Sequence, residues 1–145
     1  MTKDKGFTLM ELMITIAILA ILTGIAYPSY AQYMMSSRRE TAKTALLDLA
    51  GKETKYYSVN NTFTVTLTDL GFSVATNVPV PDSSSTYYTI TVTTNGTGAI
   101  ADGFLATATP TGVQAADNCG SFSVDETGNK SYTPNGTDPG AASCW

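Results

Sequence analysis

Residues 1–30 read MTKDKGFTLMELMITIAILAILTGIAYPSY, and across residues 7–26 the only charged side chain is Glu11. About 20 apolar residues suffice for a helix to cross a bilayer, so the stretch reads as a membrane span. Lys3 and Lys5 precede it; by the positive-inside tendency they hold the extreme N-terminus in the cytoplasm and send the chain after Tyr30 outside. A secretory signal would have a shorter apolar core and a small-residue cleavage site, and neither is present. Glu11 is then the anomaly, because a carboxylate near hydrocarbon is costly and marks function when it persists.

Outward from this run the period stays helical. Ala42, Ala45, Leu46, Leu49, Ala50, Tyr56 and Tyr57 recur at the spacing of one helix face. The pattern predicts one helix of roughly 50 residues, apolar all round in its first half and one-faced in its second. Gly24 and Pro28 are its weak points, since Gly costs about 1 kcal/mol and Pro about 3 kcal/mol inside a helix. A kink or a stretch able to melt is expected between them, although membrane helices also carry both residues and merely bend.

After Val59 the period changes. TDLGF (68–72) reads as a turn, and Pro79, Pro81 and residues 83–85 as a loop. TYYTITVTT (86–94) alternates like a strand and ends at Asn95-Gly96, a hairpin signal. FLATATP (104–110), CGSFSVD (119–125) and residues 130–133 follow as further strands. The expected fold class is α+β: a long N-terminal helix whose amphipathic half packs on a four-stranded antiparallel sheet. Trp145 is expected to pack against this head.

Composition narrows the function. Charged residues make up 14%, against about 25% in ordinary soluble domains. Residues 38–55 carry five cations (Arg38, Arg39, Lys43, Lys52, Lys55) against three acids, whereas from Tyr56 onward Lys130 faces seven acids. Such a head repels a phosphate backbone. The absence of His removes the commonest general base and most zinc sites. Residues 125–129 lack the alternating oxygen ligands of a calcium loop, and Asn60, Asn95 and Asn135 match a glycosylation pattern that recurs by chance in so Thr-rich a chain. No phosphate loop, nucleophile elbow or acid pair at catalytic spacing stands out, so no catalysis, metal or cofactor is expected. Cys119 and Cys144, an even pair in an exported chain, read as one disulfide; in a reducing compartment they would remain thiols. Closing that loop contributes about 3 to 4 kcal/mol.

Gly6, Phe7, Thr8, Leu9, Met10 and Glu11, behind a short Lys-bearing leader and ahead of an apolar helix, resemble the processing motif of the type IV pilins, in the short-leader type IVa class. The resemblance implies that a membrane-bound prepilin peptidase cuts between Gly6 and Phe7 and methylates the new amine of Phe7. Glu11 then becomes the fifth residue of the mature chain. In the family this acid is associated with the positive N-terminus of a neighbouring subunit during assembly, an attraction that low dielectric strengthens. Arg39, Ala42, Leu46, Ala50, Glu53, Tyr56, Tyr57 and Asn60 resemble a pattern of the PilE-like minor pilins.

The implied organisation is a cleaved leader (1–6), a transmembrane and assembly helix (7–29), its amphipathic half (30–58) and a head with a disulfide-closed C-terminal loop (59–145). The implied role is a structural subunit, a minor pilin in pilus assembly, twitching motility or adhesion. Its partners would be other pilins, the prepilin peptidase, the inner-membrane assembly platform and the bilayer. Its location would be the inner membrane before assembly and the extracellular pilus after it. Two alternatives stand beside this. A DNA-uptake pilin of the related ComP-like type would use a basic stripe, for which the cations of residues 38–55 are the candidates and against which the acidic head argues. A type II secretion pseudopilin shares the motif, but such proteins commonly lack the C-terminal disulfide.

Overall fold

The apolar run passes without interruption into the amphipathic stripe, forming one helix, α1 (Leu9–Asn60), in a computed structural model. The structure describes residues 6–96, 98–137 and 139–145. Leader residues 1–5, with Lys3 and Lys5, lie outside them, as do Thr97 and Asp138. Contacts divide the chain into a unit ending at Ser36 and a second comprising Ser37–Trp145.

In the first unit every residue from 6 to 30 is exposed, and α1 is long and apolar enough there to cross a membrane. Its hydroxyls are satisfied within the helix: Thr15 Oγ1 donates to the carbonyl of Glu11 (2.5 Å) and Thr23 Oγ1 to that of Leu19. Such internal bonding suits surroundings without water. The helix runs through Gly24 and Pro28. These residues stand four apart, so Pro28, having no N–H, withholds the bond that the Gly24 carbonyl would otherwise accept. The weak point is therefore one missing bond within a continuous helix.

The second unit is built on the other half of α1. Ala42, Leu46, Leu49 and Glu53, at steps of four, three and four residues, are buried in a stripe. The sheet is an antiparallel meander, β1 (Val78–Val80), β2 (Tyr88–Thr94), β3 (Phe104–Pro110), β4 (Ser121–Asp125) and β5 (Lys130–Thr133), neighbours in that order. Alternation places Tyr88, Ile90 and Val92 of β2, Phe104, Ala106 and Ala108 of β3, and Phe122 and Val124 of β4 in one core with the helix stripe. Each large apolar side chain so buried contributes about 1.5 to 3 kcal/mol.

The sheet has five strands where four were expected. The additional one, β1, holds Pro79 and precedes Pro81, the residues read as loop. It lies at the sheet edge, where Pro is tolerated because its missing N–H can face away from the neighbouring strand; Tyr87 N still donates to Val80 O (2.8 Å). The TDLGF turn is a short 3₁₀ helix (Leu67–Leu70) closed by Gly71 in the left-handed region, with Leu67 and Leu70 in the core. Trp145 packs edge-on against Phe122, with ring centroids 5.6 Å apart, and donates Nε1–H to Ser131 O (2.6 Å).

A buried polar cluster ties α1 to the C-terminal loop. Asp117, 1% exposed, accepts from Arg39 Nε (2.6 Å) and Nη2 (2.5 Å), from Gln114 Nε2 (2.7 Å) and from Cys119 N (3.2 Å). This two-pronged contact raises the Arg39 pKa further above its ordinary value. Gln114 also donates to Tyr88 O–H (3.2 Å), and burial pushes the Tyr88 phenol up to about 12. Cys119 and Cys144 are joined, their Cα atoms 5.5 Å apart, and α2 (Ala141–Cys144) ends at that bridge. At Gly120 (φ +60°) a side chain would strike the Thr133 carbonyl, so only Gly lets the chain leave the disulfide and enter β4.

Breaking this cluster is expected to be asymmetric. Arg39→Leu leaves the Asp117 carboxylate buried without its cation and should cost about 3 kcal/mol or more. Asp117→Asn leaves Arg39, 20% exposed at its side chain, able to reach water, and should cost less. Urea unfolding of the two variants in detergent micelles checks the order.

Candidate functional site

The candidate site is the start of α1. Gly6 and Phe7 precede the helix in non-helical backbone and are exposed, Phe7 at 83%. Thr8 carries out the N-cap role: its carbonyl accepts the first helical bond from Leu12 N (3.2 Å) and its Oγ1 accepts from Glu11 N (3.2 Å). Glu11 answers with Oε2, which accepts from both Thr8 N and Thr8 Oγ1 at 2.9 Å. This is a capping box, in which N-cap and third helical residue satisfy each other's donors. The signal was present in the sequence as Thr8-x-x-Glu11, masked by the membrane context that made the acid look isolated.

Two consequences follow for the chemistry. The Gly6–Phe7 bond lies outside the helix, two residues before Leu9, in backbone not committed to helical bonding. The carboxylate is only half used, because Oε1 takes no hydrogen bond among the described residues and an open hollow of about 260 Å³ lies against Gly6, Phe7, Thr8 and Glu11. A cation brought to this hollow would meet an oriented carboxylate, itself stabilised in its charged form by the positive end of the helix dipole.

The cations of residues 38–55 are mostly committed within the head. The Arg38 guanidinium stacks on Tyr87 at 4.0 Å, Lys43 pairs with Glu40 (2.8 Å), and Lys52 pairs with Asp48 (3.0 Å) beneath the face of Phe72. Arg39 is held by Asp117. Lys55 is exposed and has no carboxylate or ring partner among the described residues. Asp125 Oδ1 accepts from Thr127 N, Thr127 Oγ1 and Asn129 N, so the acid at the 125–129 turn serves its own backbone.

In the sequence Glu53 figures only within the resemblance to PilE-like minor pilins and as one of the acids of residues 38–55, and its burial is a finding. It is 0% exposed, at a position in the stripe where an apolar side chain would be expected. Oε2 accepts from Thr64 N (3.1 Å), and Oε1 is buried without a hydrogen-bond partner among the described residues. Burial, with help from the nearby Asp69 charge and against the Thr64 bond, pushes its pKa up to about 7.

Comparison with known proteins places this geometry. A family model described as "Type IV minor pilin ComP, DNA uptake sequence receptor" matches residues 28–123, and one described as "Prokaryotic N-terminal methylation motif" matches residues 1–27. The chain is 34% identical over 71 residues to the type IV major pilin protein PilA of Myxococcus xanthus, covering 49% of this chain and 32% of the relative. It is 46% identical over 55 residues to the fimbrial protein EcpC of Eikenella corrodens, covering 38% and 36%. The chain thus spans about a third of the length of these curated relatives. Among solved structures, a type IV pilin from Shewanella oneidensis aligns with TM-score 0.51 and 26% identity over 77% of this chain and 97% of its own. The non-core minor pilin PilV of Neisseria meningitidis shares the fold, with TM-score 0.51 and 17% identity over 75% and 96%.

The capping box yields a local expectation. Thr8→Ala removes one partner of the box, and a lost N-cap costs about 1 kcal/mol. Amide exchange at residues 9–12 of the full chain in micelles should therefore accelerate roughly five-fold, while exchange in the sheet stays unchanged.

Proposed function

The chain belongs to the family described as type IV minor pilin ComP, DNA uptake sequence receptor, and from that premise we propose that it is a structural subunit of a type IV pilus acting as a minor pilin in assembly. The observation that carries the reading is the first half of α1, predominantly apolar and exposed throughout residues 6–30, with one acid that is capped on one oxygen and has no hydrogen bond to the other among the described residues. Such a surface needs a bilayer or a bundle of like helices to cover it.

In this reading the prepilin peptidase cuts after Gly6, in backbone outside the helix, and methylates the Phe7 amine. The span holds the subunit in the inner membrane with its head outside, and the subunit then passes into the filament. There Glu11 has two tasks: Oε2 keeps the helix start defined through Thr8, and Oε1 receives the positive N-terminal amine of a neighbouring subunit. The missing bond at Gly24 and Pro28 marks where α1 can bend or melt during that transfer. The role is mechanical, and the head displays the surface on which adhesion or motility partners act.

Glu11→Gln separates the two tasks, because Gln can complete a capping box but carries no charge. The variant is expected to insert in the membrane with a normal helix start and to enter sheared pili at a small fraction of the wild-type level, read by immunoblot. Incorporation equal to wild type would remove the pairing from the account.

A second reading, DNA reception, is favoured by the family description and opposed by the engagement of Arg38, Arg39, Lys43 and Lys52 with rings or carboxylates of the head. Affinity for duplex DNA rests on cations free to neutralise phosphates. The protein should therefore retard short duplex DNA near physiological salt only above about 10 μM, in the range of non-specific binding. A nanomolar shift that Lys55→Ala weakens would promote this second reading to the first.

A further inference from the structure

We propose that Glu53 is a proton-controlled latch for the segment 61–77, which lies closed on α1 when the carboxyl is protonated and opens locally around Thr64 when it ionises. The geometry is that of a switch with one buried carboxyl as its catch. The segment leaves α1 at Asn61 in the left-handed region (φ 54°) and returns to the sheet at β1. Its anchors are mostly apolar: Phe63 stacks on Tyr57 (4.6 Å) and meets Phe104 edge-on (5.1 Å), while Leu67 and Leu70 are buried. Toward its two ends, Asn61 N donates to Tyr57 O (2.8 Å) and Lys52 Nζ lies over Phe72 (4.1 Å).

The buried catch is Glu53, which accepts the Thr64 amide. Thr64 in turn donates Oγ1–H to Asp69 Oδ2 (3.0 Å) and accepts from Thr66 N (3.0 Å). The Thr64 N–H can be accepted by either form, but ionisation places a full negative charge at 0% exposure with no donor to Oε1 among the described residues, and such a buried charge is strongly unfavourable. The neutral carboxyl costs less there, although its own O–H also lacks an acceptor among those residues.

The charges around Glu53 do not rescue its ionised form. Asp69 is the charged group that shifts its ionisation, and its sign adds to the effect of burial. Lys52 and Lys55, together with Tyr56, are the titratable groups nearest along α1; they line a cavity of about 460 Å³ with Val59, Asn60, Asp69 and Leu70. Lys52 is held by Asp48 and Phe72. The strand residue reached through Phe63 is the apolar Phe104.

The direction with pH follows from the raised folded value, about 7 against the ordinary 4.5. The closed form holds more protons than the open one between these values, so closure is strongest below about 4.5 and weakens as pH rises through about 7.

Hydrogen exchange on the full chain in detergent micelles tests this at the amides of Thr64 and Thr66. After correction for intrinsic exchange, their protection is expected to fall roughly 10- to 100-fold between pH 5 and pH 8, with sheet amides unaffected. In Glu53→Gln the same amides should change by less than about 3-fold over that range, the carboxyl having been removed from the linkage. Flat protection in the wild type, or an equal fall in the Gln variant, overturns the proposal. Titration of a ¹³C-labelled Glu53 carboxyl in the wild type gives a readout independent of the variant's folding. A midpoint near 7 supports the latch, and one at the ordinary carboxylate value contradicts it.

Discussion

A helix that must satisfy two solvents organises this chain. Over residues 6–30 the side chains of α1 are exposed all round, and apolar surface on that scale does not stay in water. Beyond Ser36 the same helix buries a stripe of Ala42, Leu46, Leu49 and Glu53 beneath a sheet. The first half thus depends on something outside the chain to cover it, a bilayer or neighbouring helices. The second half is covered by the chain's own sheet and serves as the spine of the head.

The head achieves its closure with few charges, placed where they bind elements together. Asp117 joins Arg39 to the loop that begins with the disulfide, and the bridge from Cys119 to Cys144 returns the C-terminus to the same loop. Trp145 then covers Phe122, with Lys130 5.5 Å from its ring. Cations that would give the chain a phosphate-binding stripe are for the most part used as structural partners. That is the physical difference between a count of five positive residues and a basic surface.

Much of this was legible beforehand, because the signals are local. The motif Gly6–Glu11, the apolar span, the helical face and the strands now numbered β2, β3, β4 and β5 each announce themselves within a dozen residues. β1 did not, since Pro79 and Pro81 argue for a loop unless the strand is known to lie at an edge. Asp117 was hidden because its partner Arg39 lies 78 residues away. Glu53 falls on the buried face of the helix, while Tyr57, expected on that face, is exposed at 38%; only the fold shows that one Glu53 oxygen lacks a donor among the described residues. The Thr8–Glu11 box was local and readable, but the cost of an acid in a membrane drew attention from the hydrogen bonds that its own helix start provides.

The two oxygens of Glu11 carry the central claim: one fixes the helix start, and the other is proposed to receive a neighbour's amine. Co-assembled filaments in which this subunit bears a ¹³C-labelled Glu11 carboxyl and its neighbours bear ¹⁵N-labelled N-terminal amines isolate the contact between subunits from any contact within one. Dipolar recoupling should report a separation of no more than about 4 Å, the reach of an ion pair. Filaments of normal composition that show no such coupling would contradict the claim and leave Glu11 with the capping of its own helix as its whole role.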